Sequence, residues 1–193
     1  MKKITGTELK SILDQHQLWI ETKGKQGVCA DLTGADLTGA DLTGSNLTGS
    51  NLTGADLIRA DLSGANLRGA NLTGAFLGGT YLSGANLTGA DLTGADLYCA
   101  DLTGANLTGA NLKDAYLTGA NLWGANLEGA NLTGANLTGA NLTGANLTGT
   151  ILEKKSEKQP EVVSVNSSFG EELQMLLDKH GVKLAAAIQL ELK

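Results

Sequence analysis

The stretch Ala30-Asp31-Leu32-Thr33-Gly34-Ala35-Asp36-Leu37-Thr38-Gly39 decides the fold, because it opens a tandem that continues far along the chain. From Leu32 to Leu152 a leucine stands at every fifth position, 25 in all, without one insertion or omission. Two residues before each leucine the chain has Ala at 21 of 25 positions, and the exceptions, Ser45, Ser50, Thr80 and Thr150, are also small. The position before the leucine holds 13 Asn and eight Asp, interrupted by Phe76, Tyr81, Tyr116 and Ile151. Thr predominates just after the leucine, and Gly fills 21 positions one further on.

A five-residue period suits neither regular element. On an α-helix, leucines five apart advance about 500°, so they spiral round the rod and form no stripe. On a continuous strand an odd spacing sends successive leucines to opposite faces. The backbone must therefore turn once per repeat. Glycine two residues after the leucine accepts the positive φ of such a corner, and Asn or Asp before the leucine bonds locally to irregular backbone. With every leucine pointing to one axis, the small residues beside it complete a continuous apolar core. About 1.5–3 kcal/mol per buried leucine is ample gross stabilisation.

Composition agrees. The 193 residues include 27 Gly but one Pro and seven aromatics, so the aromatic core usual in a compact enzyme is missing. The formal charge of −6 argues against a nucleic-acid binder, which must neutralise phosphates with Lys and Arg. The charged start, Met1-Lys2-Lys3, leads into no apolar stretch, and no apolar run reaches about 18 residues. The expectation is a soluble cytoplasmic protein with no signal peptide, no membrane contact and no direct nucleic-acid partner.

The Ala-(Asn/Asp)-Leu-Thr-Gly tandem resembles the pentapeptide repeat proteins over residues 30–152. That resemblance implies an all-β solenoid, a right-handed quadrilateral β-helix with four repeats per coil. Twenty-five repeats then make about six coils, roughly 30 Å long at ~4.8 Å per coil. Some members mimic duplex DNA and bind the DNA-gripping surface of gyrase, giving quinolone resistance. In gyrase-interacting members a C-terminal helix forms a dimer interface.

Counting repeats in fours sorts the side chains by face. The face of Leu47, Leu67, Leu87, Leu107, Leu127 and Leu147 carries Asn at every position before the leucine and is neutral there. The face of Leu37, Leu57, Leu77, Leu97, Leu117 and Leu137 differs: it stacks Ile58 and Arg59, then Phe76, then Tyr98, then Tyr116 on successive coils. Tyr81 and Trp123 fall on the neighbouring face. A contiguous outward apolar patch needs an occupant where scattered residues do not. The protein's own C-terminal tail, a partner protein, a second copy of the chain and neutral drift of exposed positions are the alternatives, and no particular partner is named by the residues.

The acidic positions Asp31, Asp36, Asp41, Asp56, Asp61, Asp91, Asp96 and Asp101 lie in the first two-thirds of the tandem. Residues 30–152 carry ten acids and three bases, net −7. Duplex DNA places about one charge per 1.7 Å, so this is under half its line density. Charge mimicry toward a type II topoisomerase is thus the alternative to a rigid protein-interaction scaffold. A rank of Thr33, Thr53, Thr73 and Thr93 resembles an ice-binding row, but Lys113 interrupts it.

Both ends of a solenoid expose unpaired backbone and need capping. Residues 1–29 are read as an N-terminal cap and lead-in: Thr5-Gly6-Thr7-Glu8 fits a capping box, and Leu9, Ile12, Leu13, His16 and Ile20 fit an amphipathic helix over residues 6–20. After the solenoid of residues 30–152, residues 153–170 read as a solvated linker. Residues 171–193 read as a capping or dimerisation segment with candidate contacts Leu173, Leu176, Leu177, Leu184 and Ile188. This tail is helical, or helix plus strand, since Ile188, Leu190 and Leu192 also alternate. Glu172 to His180 repeats the pattern of Glu8 to His16, E-L-x-x-(I/L)-L-D-x-H.

Catalytic chemistry finds no support. The two histidines, His16 and His180, lie on the terminal segments, and no Cys, His and carboxylate cluster has ligand spacing. Cys29 and Cys99 are 3.5 coils apart, beyond reach of a disulfide. The glycines form no phosphate loop. No catalytic residue, metal site or cofactor is expected.

Overall fold

The structure is a computed structural model that describes residues 2–152. Its repeats close into a coil of twenty residues: the residue before each leucine pairs in parallel with its equivalent twenty positions on, from Asp31 with Asn51 to Asn126 with Asn146. Four repeats therefore make one turn. Successive coils are joined by short backbone hydrogen bonds, such as Asp96 N–H to Ala75 O at 2.9 Å and Leu97 N–H to Tyr116 O at 2.7 Å. Each corner is then closed by the first residue of the next repeat, as by Ala100 N–H to Leu97 O at 3.0 Å. Only one residue per repeat forms a ladder rung, because a two-residue turn follows every leucine. The walls are thus ranks of single bridges, narrower than the strands that an all-β solenoid suggests.

Side chains explain why the corners form. All 21 glycines of the tandem's corner position have positive φ, and so do the three described residues that replace glycine there, Arg59 (57°), Cys99 (52°) and Asp114 (57°). On the other side of each leucine, the Asn or Asp Oδ1 accepts the backbone N–H two residues on, as in Thr43 N–H to Asp41 at 3.0 Å and Thr108 N–H to Asn106 at 3.0 Å. This turn needs an acceptor oxygen and no charge, which is why Asn and Asp alternate freely. The core behind it is continuous, with leucines from Leu32 to Leu132 buried and the intervening alanines buried except Ala40, which is partly so. The polar exceptions Ser50 and Thr80 are buried too, and their hydroxyls bond the carbonyls of Leu47 and Leu57, each at 2.7 Å. The inward column weakens at its end. Leu137, Leu142 and Leu147 are only half-buried, because no repeat follows them in the twenty-residue register.

The N-terminal segment caps the first coil more elaborately than its helical pattern implies. A short strand β1 (Lys2–Lys3) pairs in parallel with β2 (Ala35–Asp36), adding a rung ahead of the tandem and covering an otherwise open edge. Helix α1 (Gly6–Glu21) follows, started by the reciprocal bonds of a capping box: Glu8 N–H to the Thr5 hydroxyl at 3.2 Å and Thr5 N–H to the Glu8 carboxylate at 2.8 Å. Leu9, Ile12 and Leu13 pack on the core cluster. His16 is fully buried, accepts the Ala30 N–H at Nδ1 (3.1 Å) and stacks on Trp19 at 5.7 Å. It clamps the helix to the first residue of the solenoid.

This clamp works only while His16 is neutral, since a proton on Nδ1 would face the Ala30 N–H. Burial pushes the imidazole below its ordinary value of 6.5, outweighing the Thr48 backbone, which favours the charged form. The unfolded chain then binds more protons than the folded one below 6.5, so the cap's stability is full above that pH and falls as pH drops through it. A second loss lies lower. Hydroxyl bonds from Thr38, Thr43 and Ser63 hold Asp36, Asp41 and Asp61 below the usual 3.8, so their contribution disappears only as pH falls below that value. The expected result is a two-stage acid profile, with loss of the His16–Trp19 stack, followed by Trp fluorescence and by His16 ring NMR shifts, preceding loss of the coil. A single transition below pH 4 would contradict the clamp.

The linker at 153–170, the segment at 171–193 with Leu173, Leu176, Leu177, Leu184 and Ile188, and His180 lie outside the described residues. Among the described residues no helix is long and apolar enough to cross a membrane.

Candidate functional site

Phe76 and Tyr116 occupy the ladder position normally held by Asn or Asp, and Tyr98 the position after Leu97. Their backbone is fixed on both sides. Phe76 N–H bonds Ala55 O at 2.9 Å while Phe76 O accepts Leu57 N–H at 2.7 Å, and Tyr116 N–H bonds Ala95 O at 2.9 Å. The rungs run Asp56, Phe76, Asp96, Tyr116, Asn136 along one wall. The rings cannot turn inward, because the leucine column fills the core, so they stand on a rigid surface.

Phe76, Tyr98 and Tyr116 are 41%, 57% and 57% exposed, and with Gly74, Gly94, Asp96 and Thr118 they line one groove of about 410 Å³. Ile58 and Arg59 share the wall but lie outside this groove. Gly78 sits between Ile58 and Tyr98, where an added Cβ would be 3.8 Å from Ile58 Cγ1 and 3.9 Å from the Tyr98 carbonyl. Tyr81 and Trp123 are exposed on the adjoining wall. The structure thus brings together three of the seven residues grouped by repeat phase. It adds Asp96, which the sequence places only among the acids, and the glycines of the neighbouring corner, whose missing side chains open the groove. Repeat phase held that signal: Gly74 and Gly94 immediately precede Ala75-Phe76 and Ala95-Asp96.

The aspartates are not uniform. Asp91 accepts the Thr93 hydroxyl at 2.6 Å and the Asn111 amide at 3.2 Å; Asp101 accepts the Thr103 hydroxyl at 2.6 Å and the Asn121 amide at 3.4 Å. Asp41, Asp56, Asp61 and Asp96 each take up the N–H two residues on. Among the described residues no group of three His, Cys, Asp or Glu is placed to hold a metal ion. Cys29 and Cys99 are free thiols, and burial, with Asp31 beside it, pushes the Cys29 thiol up, away from the thiolate a nucleophile needs. A second groove of about 490 Å³ lies between α1 and the first coil, bordered by Ile4, Leu9, Leu13, Asp14 and Asp36.

A parallel stack of four-repeat coils, built on a leucine column and closed by a helical cap, defines a repeat solenoid protein. The pentapeptide repeat model matches it in overlapping stretches from residue 30 to 153, with eight copies, and the chain belongs to that family. Solved pentapeptide repeat structures are similar. One is HetL, involved in heterocyst differentiation regulation in the cyanobacterium Nostoc sp. strain PCC 7120: identity is 38% over 67% of this chain and 70% of that one, TM-score 0.38. A thylakoid lumen protein of Arabidopsis thaliana is 40% identical over 58% of this chain and 71% of its own, TM-score 0.36. The fluoroquinolone resistance protein QnrB1 is 18% identical over 80% of this chain and 89% of its own, TM-score 0.41. No curated protein matches the sequence.

Proposed function

We propose that the protein is a non-enzymatic interaction scaffold, a right-handed quadrilateral solenoid of about six coils that presents the wall of Phe76, Tyr98 and Tyr116 to a partner protein. The observation that supports it is the groove these three rings share on backbone bonded on both sides. A rigid aromatic surface binds with little ordering cost, and aromatic anchors in well-packed pockets dominate binding energy. The test is affinity capture with the full chain and a Phe76→Ala/Tyr116→Ala double variant. The expected result is a specific partner captured by the native chain and lost, at least tenfold, with the double variant at unchanged melting temperature. Equal capture by both removes this wall from the interface.

Charge mimicry of duplex DNA toward a type II topoisomerase is the second reading, supported by the outward aspartates. Their oxygens also hold the turns, a role that accounts for them without a DNA-binding target. Inhibition or protection of gyrase supercoiling at micromolar protein would favour mimicry, and no effect would remove it.

A further inference from the structure

We propose that the groove between Phe76 and Tyr116 receives one organic cation, the ammonium or guanidinium head of a lysine or arginine on the partner protein, with Asp96 beneath it. This rests on the reading of the wall as an interaction surface and specifies what that wall recognises. Phe76, Asp96 and Tyr116 are successive rungs. Coils are stacked about 4.8 Å apart, so the two rings are rooted about 9.6 Å apart with the carboxylate midway. Since each carbon contact occupies about 3.5–4.0 Å, the gap admits one side-chain head and not two. Tyr98 closes the groove on the side after Leu97.

The same coil supplies its own comparison. Asp91 and Asp101 each receive a threonine hydroxyl from two residues on and an asparagine amide from the next coil. At Asp96 both donors are replaced by aromatic residues: Tyr98 stands for the threonine and Tyr116 for the asparagine. Among the described residues its carboxylate accepts only the Tyr98 N–H, at 3.0 Å. The substitutions that build the ring walls therefore also release the carboxylate from the ladder. Asp56 is similarly released, with Ile58 two residues on, but has a ring on one side only. Among the described residues Arg59, the cation of this wall, forms no ion pair. Aromatic faces attract cations and a carboxylate between two of them adds to that attraction. The net −7 of residues 30–152 favours the same sign of ligand.

The test uses ¹⁵N-labelled full-length protein titrated with N-acetyl-arginine amide, N-acetyl-lysine amide and the neutral N-acetyl-citrulline amide. Saturable shifts of the Gly94, Tyr98 and Thr118 amides are expected with the cationic amides in the millimolar range, and the stronger of the two identifies the head. Citrulline amide and the Asp96→Asn variant should each bind roughly tenfold more weakly. Asp91→Asn should bind as the native chain does. Equal binding of citrulline amide would make this a plain apolar groove and overturn the proposal. Shifts spread over every aspartate column, equal weakening by Asp91→Asn, or no response would overturn it as well. The interface itself is judged separately: if Phe76→Ala/Tyr116→Ala loses the captured partner while Asp96→Asn keeps it, the wall binds protein and the cation site is wrong. If the amides bind at Asp96 but the double variant still captures the partner, the cation site stands and the interface lies elsewhere.

Discussion

Leu97→Asp is expected to abolish the folded stack. Leu97 is fully buried in the middle of the core column, and its backbone N–H is already committed to the Tyr116 carbonyl in the next coil. A carboxylate there has no water and no cationic partner, and the cost, more than about 5 kcal/mol, is comparable to the whole stability of an ordinary domain. Relaxation is blocked because the coils above and below are tied by bonds of 2.6–3.0 Å. The measurement is thermal or urea unfolding followed by circular dichroism. Where Leu97→Asp is insoluble, Leu97→Ala remains measurable, with a loss of about 2–5 kcal/mol. Leu142→Ala should cost about half as much as Leu97→Ala, because Leu142 is only partly buried at the end of the column. Equal effects at the two positions, or an unchanged midpoint for Leu97→Asp, would refute a core that is closed in its middle and open at its end.

The core column and its corners are legible in the sequence because every repeat faces the same physical problem. A leucine that must point inward every five residues forces a turn, and the turn selects glycine on one side and Asn or Asp on the other. The structure answers with positive φ at each corner glycine and with Asx bonds such as Asn106 Oδ1 to Thr108 N–H at 3.0 Å. Four repeats per coil is not contained in the period. It follows from which rungs meet, and it entered the sequence reading through family resemblance; the pairing of Asp96 with Tyr116 establishes it. Once that number is known, the grouping of Phe76, Tyr98 and Tyr116 follows from arithmetic. The release of Asp96 does not, because it depends on donors missing from two different coils. β1 was illegible for another reason: Lys2-Lys3 has no hydrophobic pattern and pairs only because an open edge is present beside it. The three left-handed non-glycine corners, Arg59, Cys99 and Asp114, show the converse, a propensity rule overridden by the closed geometry of the coil.

Gly27→Ala is expected to detach the cap, whereas Gly94→Ala should be nearly silent by comparison. Both glycines have positive φ, +73° and +63°, so both substitutions carry the left-handed cost of about 1–2 kcal/mol. At Gly94 that is the whole effect, since an added Cβ meets nothing within 4 Å. At Gly27 the added carbon would overlap the Gln15 carbonyl oxygen and lie 2.6 Å from the Trp19 nitrogen, both backbone atoms of α1. Neither can swing aside as a flexible side chain could. The lead-in would have to move off the helix, breaking the Val28 N–H bond to Gln15 O (3.2 Å) and pulling Ala30 away from His16. The three apolar contacts of α1 with the first coil depend on that seat, so a loss of about 3–5 kcal/mol is expected, concentrated in the cap. Amide hydrogen exchange resolves it. Protection should collapse across Gly6–Glu21 and the first coil in Gly27→Ala while Leu97 and its neighbours keep theirs, because stability in a stacked array is passed chiefly between adjacent coils. Uniform loss of protection along residues 30–152 would show that the cap and the stack unfold as one unit, and retention of helix protection would show that the close approach at Gly27 does not hold the cap.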